Sequence, residues 1–184
     1  MKNGNIVLRY IKESDIEDYV RWTTTETEWN DWDAPWEVDE EGGFVAWQRD
    51  MLNEEPHFYS KLEIDTLAGK HLGWVLCYGV DDLGKTKVTA VGLNIPVVGD
   101  RGMGYGKNAL TLYMAHLFKK EDVLYTQTWS GNTPMLRLAE KIGFAEVRRI
   151  KDLREVGGKK YDALTFAMSK EDFFDKYPEL LNEC

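Results

Sequence analysis

Three glycines alternate with other residues in the stretch Arg101-Gly102-Met103-Gly104-Tyr105-Gly106-Lys107. Glycines let a backbone approach an anion closely, and successive N–H groups in such a turn can all point at phosphate oxygens. An amphipathic pattern begins directly afterwards, so a helix N-terminus would add the positive end of its dipole. With a cation at each end, this loop predicts a pyrophosphate-binding turn. A tight strand-to-helix turn without a ligand is the alternative.

Two better-known phosphate loops fit this stretch poorly. A P-loop needs Gly-x4-Gly-Lys-Ser/Thr, but Arg101 stands five residues before Gly106, and Asn108 follows Lys107 where a hydroxyl belongs. Residues 104–109 match the loose Gly-x-Gly-x-x-Ala dinucleotide fingerprint, which also requires an acid about 20 residues later. Residues 124–126 are Leu-Tyr-Thr, so a dinucleotide site is disfavoured.

Length and composition predict a single compact domain over residues 1–184. Hydrophobic residues make up 43% of the chain and charged residues 30%, an ordinary globular balance. Two cysteines without metal-type spacing and three dispersed histidines predict neither a disulfide framework nor a metal site. No basic leader precedes Ile6 and no apolar run approaches the ~18 residues of a membrane span. We therefore expect a cytoplasmic protein without a membrane partner.

The net charge of −9 is concentrated between Trp22 and Gln48. This acidic stretch holds eight carboxylates and no Lys or Arg: Glu26, Glu28, Asp31, Asp33, Glu37, Asp39, Glu40 and Glu41. It also holds five of the seven tryptophans: Trp22, Trp29, Trp32, Trp36 and Trp47. Carboxylates mixed with indoles suit a cationic ligand. The alternative is a solvated acidic loop anchored by its tryptophans, and either way the charge disfavours nucleic acid as a partner.

Apolar periodicity and turn residues predict an α+β domain with a mixed, largely antiparallel sheet of about seven strands flanked by helices. The expected strands cover residues 5–11, 58–64, 72–78, 87–95, 123–129, 144–153 and 161–168, with a turn at residues 81–84. The first helix would begin at Ser14 as cap, with Glu17 completing a capping box. Further helices follow around residues 44–52, after the glycine loop, from 132 or 133 to 141, and at the end of the chain. The order is β-α-α-β-β-β-α-β-α-β-β.

Two of these helices show clear apolar faces. The helix after the glycine loop has a stripe of Leu110, Tyr113, Met114 and Leu117. The next helix has Pro134 in its first turn, Gly143 beyond its end, and a packing face of Met135, Leu138 and Ile142.

At this point the chain resembles the GNAT superfamily of N-acetyltransferases. The motif Arg101-x-x-Gly104-x-Gly106, after a strand and opening a helix, is similar to the acetyl-CoA pyrophosphate loop of that family. The later segment Asn132-x4-Arg137-x-x-Glu140-Lys141-x-Gly143-Phe144 resembles the branch that acetylates ribosomal-protein N-termini and polyamines. The opening Leu8-Arg9-x-Ile11-x3-Asp15 resembles that branch too. The resemblance implies a GNAT-like fold over nearly the whole chain.

The resemblance also implies a reaction and a cosubstrate. An uncharged amine would attack the thioester of acetyl-CoA directly, and a backbone N–H near the end of strand 87–95 would hold the thioester oxygen. The implied cofactor-binding residues are Asn94, Ile95, Val97, Arg101, Gly102, Met103, Gly104, Tyr105, Gly106, Lys107 and Asn132. Asn132 would hydrogen-bond the pantetheine arm or a water in the gap between strands 87–95 and 123–129; a simple helix cap is the alternative.

The proton-transfer residues of the family are absent from their usual places. Many relatives carry a Tyr at the position of Ala139, a Ser at Met135, or a Glu at Ala90. An alkyl ammonium with a pKa near ~10 must lose a proton before attack, so some base is needed. Candidates for catalysis are Asn132 and Ser130; Tyr161 or an acid of the acidic stretch are alternatives.

In the family, the helices between the first two strands flank the acceptor cleft. The acidic stretch therefore predicts acceptor contacts at Glu28, Trp29, Trp32 and Trp36, and a cationic acceptor: a polyamine, an aminoglycoside or a peptide N-terminus. A non-catalytic acetyl-CoA-binding or regulatory module is the main alternative, and a longer acyl-CoA as donor is a further one. Homodimers are common in the family.

Overall fold

The computed structural model describes residues 1–37, 42–57, 59–80 and 87–183. Its helices are α1 (Ile16–Thr24), α2 (Gly43–Met51), α3 (Tyr105–Leu117), α4 (Thr133–Ile142) and α5 (Lys170–Lys176). Its strands are β1 (Lys2–Asn3), β2 (Ile6–Arg9), β3 (Leu62–Thr66), β4 (His71–Val80), β5 (Val88–Asn94), β6 (Val123–Trp129), β7 (Ala145–Val156) and β8 (Lys159–Ser169). The predicted turn at residues 81–84 lies outside the described ranges.

All eight strands form one sheet in the order β1-β2-β3-β4-β5-β6-β8-β7. Neighbours pair antiparallel except β5 and β6, which are parallel and share a single residue pair, Ala90 with Tyr125. The Thr126 hydroxyl donates to the Val91 carbonyl at 2.8 Å just beyond this pair. From there the carboxyl-terminal halves of the two strands diverge and leave a gap in the sheet.

Two apolar cores cover the sheet. In the larger core, α3 buries its whole predicted stripe, since Leu110, Tyr113, Met114 and Leu117 are all fully buried. The second core lies where α1, α2 and the segment between them meet β4: Ile16, Tyr19, Trp22, Trp29, Val45 and Trp74. Trp22 and Trp29 therefore anchor the acidic stretch to this core. For these two residues the structure agrees with the alternative stated above, an acidic loop held in place by its tryptophans.

Two local expectations were wrong. Ser14 does not cap α1, because it lies in a short 3-10 turn (Glu13–Asp15) in which the Asp15 carboxylate accepts the Lys12 N–H at 2.8 Å. The strand predicted at residues 58–64 corresponds to β3, which begins at Leu62. Two hydrogen bonds between His57 and Ser60 close a turn just before it. The described sheet has eight strands, in agreement with the expected number of about seven, and β1 pairs with β2 at its edge.

A buried ion cluster lies beneath α1, and no sequence pattern predicted it. It consists of Tyr19, Lys61, Glu63 and His71. Lys61 and Glu63 form an ion pair with side chains only 2% and 0% exposed. The Tyr19 hydroxyl donates to Glu63 at 2.6 Å, and His71 Nε2 lies 3.1 Å from the same carboxylate. Burial alone would raise the pKa of Glu63, but hydrogen bonds from these three neighbours hold it below its usual range.

Candidate active site

The gap between β5 and β6 opens into a cleft of about 840 Å3. Its walls come from the end of β5, the glycine loop, the start of α4, residues 29–37 of the acidic stretch and the β7–β8 hairpin. A cleft of this size can enclose most of a ligand much larger than a simple metabolite. The glycine loop, the segment that begins at Asn132 and the acidic stretch thus contribute to one cavity, whereas the opening motif of residues 8–15 does not line it.

The glycines of the loop serve two different purposes. Gly102 and Gly104 have φ angles of 80° and 83°, a left-handed conformation in which any other residue is strained, and a Cβ there would meet open space. Gly106 has no such φ, but a Cβ on it would lie 3.2 Å from Leu93 Cδ1 of β5. The first two glycines therefore shape the turn, and the third lets α3 approach the sheet.

The loop presents a row of free backbone donors. The first helical hydrogen bond of α3 runs from the Asn108 N–H to the Gly104 carbonyl at 3.1 Å. Within the described ranges, the N–H groups of residues 102–107 have no protein acceptor. Free backbone N–H groups at the positive end of a helix form an anion-binding site, and this loop offers six of them.

The cations that bracket the loop already have partners. Arg101 donates to the carbonyls of Ile95 and Pro96, both at 2.8 Å, and to Glu28 at 2.7 Å. The other carboxylate oxygen of Glu28 accepts the Trp32 indole N–H at 2.6 Å. Burial would raise the pKa of Glu28, but these bonds hold it below its usual value. Arg101 and Glu28 therefore tie the end of β5 to the acidic stretch.

Lys107 also points toward protein, with its ammonium 5.1 Å from the centre of the Tyr177 ring. Of the residues expected to bind the cofactor, those that line the cleft are Asn94, Ile95, Arg101, Gly102, Gly104, Tyr105, Gly106, Lys107 and Asn132. Val97 packs against the tryptophan-rich core instead, and Met103 is 62% exposed outside the cleft. The roles of all these residues toward a cofactor stay predictions.

Asn132 and Ser130, the two candidates for catalysis, both have structural partners. Asn132 Oδ1 accepts the Met135 N–H at 3.0 Å, which confirms the helix-cap alternative, although the residue also lines the cleft. The Ser130 hydroxyl accepts the Asp162 N–H at 2.9 Å and thereby ties β6 to β8. Neither Ser130 nor Tyr161 lines the cleft, and the Tyr161 ring packs edge-on against Trp129 at 4.8 Å.

Asp33 is an acid of the acidic stretch that the fold brings into the cleft beside the end of β5. Its Oδ2 accepts the Asn94 side-chain N–H at 3.1 Å, at the last residue of β5. Water reaches the carboxyl through the cleft, yet desolvation by the surrounding protein, aided by the charge of Glu37, raises its pKa. A carboxyl with a raised pKa in a cleft is a candidate general base.

Tyr78, from β4, was not identified from the sequence. Its ring lies beside β5, with Cε1 3.8 Å from the position that a Cβ on Gly92 would occupy. Burial and the charge of Asp33 raise the pKa of Tyr78 to about 12, against the opposing effect of the Gln127 backbone N–H on β6. The residue is still 37% exposed because the cleft is open. It is therefore a neutral, accessible phenol between the two diverging strands.

The tryptophans expected to contact an acceptor take different places. Trp29 belongs to the core, where it donates its indole N–H to the Trp22 carbonyl at 2.9 Å, and it also lines the cleft. Trp32 lines the cleft, and its carbonyl accepts the Trp129 indole N–H at 2.8 Å. Trp36 also lines the cleft, 5.9 Å edge-on from Trp129. Only Trp32 and Trp36 are thus wall residues without a place in the core.

Replacing Gly104 with alanine should weaken coenzyme A binding by about tenfold, the cost of one lost charge-assisted hydrogen bond. The strain of an L-residue at φ 83° would move the loop donors out of line. Isothermal calorimetry with coenzyme A measures the effect. Gly69→Ala is the matched control, since Gly69 has a φ of 85°, open space at its Cβ and a position outside the cleft. Equal binding by the two variants would contradict a role for the loop.

The chain belongs to the acetyltransferase (GNAT) domain family, whose model matches residues 5–145. The family resemblance inferred from the motifs is thereby confirmed.

Individual relatives support this assignment. The SPbeta prophage-derived uncharacterized N-acetyltransferase YokL of Bacillus subtilis (strain 168) is 29% identical over 75 residues, which cover 40% of this chain and 42% of that protein. The match thus spans about two fifths of the curated relative. A GNAT-family acetyltransferase from Bacillus anthracis superposes with a TM-score of 0.73 at 17% identity, over 93% of this chain and 98% of that one.

A second solved structure has a similar fold. Spermidine N-acetyltransferase from Vibrio cholerae, in complex with CoA and spermine, superposes with a TM-score of 0.69 at 14% identity. The match covers 94% of this chain and 99% of that one. These likenesses confirm the expected α+β class with its mixed, mostly antiparallel sheet.

Two other features of the described ranges bear on function. No group of His, Cys, Asp and Glu side chains there is arranged to hold a metal ion. No helix there combines the length and the apolar character needed to cross a bilayer.

Proposed function

We propose that the chain transfers an acetyl group from acetyl-CoA to the primary amine of a cationic acceptor by direct attack on the thioester. The acceptor would be a polyamine, an aminoglycoside or a peptide or protein N-terminus. One observation carries the proposal: a single cleft joins the glycine loop, with its free N–H groups, to Asp33 beside the end of β5. An anion cradle at one end and a carboxyl at the other suit acetyl-CoA and an ammonium.

On the donor side, the loop N–H groups would bind the pyrophosphate of acetyl-CoA. The pantetheine arm would lie in the gap between β5 and β6, where the strands have stopped pairing and their backbone groups are available. Residues 94–97 and the side-chain amide of Asn132 would flank it. A backbone N–H near the end of β5 would stabilise the negative charge that develops on the thioester oxygen.

On the acceptor side, we propose that Asp33 is the base that takes a proton from the acceptor ammonium. The acceptor ammonium gives a proton to the Asp33 carboxylate, the freed amine forms the C–N bond, and the C–S bond breaks. The leaving thiolate takes a proton from the Tyr78 hydroxyl. The nitrogen loses its second proton as it becomes an amide, and that proton restores the Tyr78 hydroxyl, while Asp33 releases its own proton to water. Glu28 holds Arg101 and Trp32 in this scheme, so its contribution to the acceptor side is to fix the wall of the cleft.

The Tyr78→Phe variant should show a kcat lowered by about 10²-fold, at the low end for general acids because a thiolate is a good leaving group. Its KM for acetyl-CoA should stay within a factor of two or three, because the ring remains. Tyr161→Phe is the control, since that hydroxyl lies outside the cleft. Initial rates of thiol release give both constants, and an unchanged kcat in Tyr78→Phe would remove this residue from the scheme.

The proposed function is tested by release of free thiol from acetyl-CoA in the presence of polyamines, aminoglycosides and N-terminal peptides, with product mass confirmed. Acetylation of at least one amine, undiminished by a chelator, is the expected result. Binding of acetyl-CoA without turnover across the panel would favour a non-catalytic acetyl-CoA-binding module instead. Faster reaction with longer acyl donors would reassign the donor. The cytoplasmic location and the homodimer stay predictions.

A further inference from the structure

Arg154 places a positive charge in the cleft that the proposed reaction does not use. The carbon of its guanidinium lies 4.4 Å from the centre of the Trp36 ring, and both residues line the cleft. Across the described ranges, this guanidinium has no ion pair and no hydrogen bond. A stacked arginine keeps its planar row of N–H donors free, and such a row matches the two oxygens of a carboxylate.

A bulge in β7 puts Arg154 there. Ile150 pairs with Ala163 and Arg154 pairs with Tyr161, so four steps along β7 face two steps along β8. Asp152, within the bulge, has a φ of 56°, which is strained for a residue other than glycine.

Hydrogen bonds to Asp162 of β8 hold the bulge in place. The Asp152 N–H donates to the Asp162 carboxylate at 3.2 Å, and Arg149 donates to the same carboxylate at 2.7 Å. Successive residues of a regular strand point to opposite faces, yet Leu153 and Arg154 both line the cleft. The strained backbone therefore turns an extra side chain inward, as bulges beside active sites do.

The free guanidinium and the Asp33 carboxyl are close enough for one small molecule to reach both. Asp33 stands three residues before Trp36, so their Cα atoms are at most about 11 Å apart. The distance is shorter still because a turn, closed by the Glu37 N–H and the Ala34 carbonyl at 2.8 Å, lies between them. The cleft thus offers a positive group 4.4 Å from the centre of the Trp36 ring and a negative group on a residue three positions before Trp36.

We propose that Arg154 binds a carboxylate of the acceptor, which makes the acceptor a small amine that also carries an acid: an amino acid or the N-terminus of a short acidic peptide. This inference rests on the proposed function, disfavours its polyamine acceptors, and adds free amino acids to the amines with which that function is tested. Asp33 receives the ammonium end and Arg154 the carboxylate end. A polyamine would instead place a second ammonium next to Arg154, where like charges repel.

The test compares amino acids with their amides, and short acidic peptides with spermidine, for the wild type and for Arg154→Gln, Arg154→Glu and Lys151→Gln. Lys151 is an exposed cation of the same strand that does not line the cleft, so it is the matched control. For the wild type, kcat/KM should be roughly 10- to 100-fold higher for the carboxylates, the range of a charge-assisted hydrogen-bonded pair. Arg154→Gln should abolish that preference, and Arg154→Glu should reverse it toward spermidine.

Several outcomes would overturn the proposal. These are equal use of spermidine and amino acids by the wild type, an unchanged preference in Arg154→Gln, or a similar loss in Lys151→Gln. A raised KM for acetyl-CoA in Arg154→Gln, without a change in acceptor preference, would show that the anion is a phosphate of the cofactor. If the wild type acetylates nothing, the proposed function fails; calorimetric binding of amino acids to the CoA-saturated protein then decides the role of Arg154 separately.

Discussion

Replacing Asp33 with asparagine should lower kcat for amine acetylation by about 10²- to 10⁴-fold, the range for loss of a general base. Asparagine keeps the size of the side chain and can still accept the Asn94 hydrogen bond, but it cannot take a proton. For the wild type, kcat/KM should rise with pH through the raised pKa of Asp33 and then level off, because only the carboxylate is a base. The variant should lose that inflection. Steady-state thiol release between about pH 4 and 9 measures both effects.

The stability of Asp33→Asn separates a catalytic role from a structural one. A carboxyl whose pKa is raised by folding favours the folded state at low pH, and that contribution is lost as the pH rises through the folded pKa. Near pH 7 the neutral asparagine should therefore not lower the melting temperature. Asp31→Asn is the control, since Asp31 belongs to the same acidic stretch but does not line the cleft. A variant that keeps more than a tenth of wild-type kcat would show that Asp33 is not the base.

The Glu63→Gln variant should lose about 3–5 kcal/mol of unfolding free energy, which is the usual effect of breaking a buried ion pair. Glutamine fills the same space, but the Lys61 ammonium, with only 2% of its side chain exposed, is left without its counter-charge. For a chain of this length, the melting temperature should fall by roughly 6–20 °C. Chemical denaturation followed by tryptophan fluorescence gives the free energy directly, because Trp22 and Trp74 are buried in the adjoining core.

Glu146→Gln is the comparison for an exposed pair. Glu146 bonds Arg149 at 2.7 Å on the surface of β7, where solvent screens the interaction, so its loss should change stability little. Equal effects of the two substitutions would mean that the buried ion cluster does not hold α1 on the sheet. His71 adds a pH dependence. Burial lowers its pKa, but the hydrogen bond to Glu63 and the surrounding carboxylates raise it overall. Its contribution to stability is therefore present at acid pH and lost as the pH rises through the folded pKa.

Much of the fold could be predicted from local patterns. The strand at residues 123–129 was predicted with its observed bounds, because it is a short run of β-branched, aromatic and apolar residues. The end of α4 was predicted because Gly143, with a φ of 108°, supplies the left-handed C-cap that such a helix needs. The glycine loop was located from its alternating glycines directly before an amphipathic pattern, and its role toward a ligand stays a prediction.

The particular site residues could not be chosen from the sequence, because tertiary contacts select them. Nothing local distinguishes Asp33 from the other acids of its stretch; its bond to Asn94, 61 residues away, does. Glu28 matched the pattern for an acceptor contact equally well, yet Arg101, 73 residues away, engages its carboxylate. The bulge before Arg154 contains no glycine to mark it, and its anchor, Asp162, lies on the next strand.

The strands β5 and β6 share a single residue pair. The sheet therefore consists of two parts, β1–β5 and β6–β8, that are joined by this one backbone pairing. Between the open halves of those strands, the hydrogen bonds that normally close a sheet are missing, and a bound pantetheine arm would replace part of them. A ligand that binds only the folded state stabilises it according to its concentration relative to Kd. With the proposed donor in the cleft, the folded fraction of this protein would rise with the concentration of coenzyme A thioesters, and a shortage of them would lower the amount of folded protein.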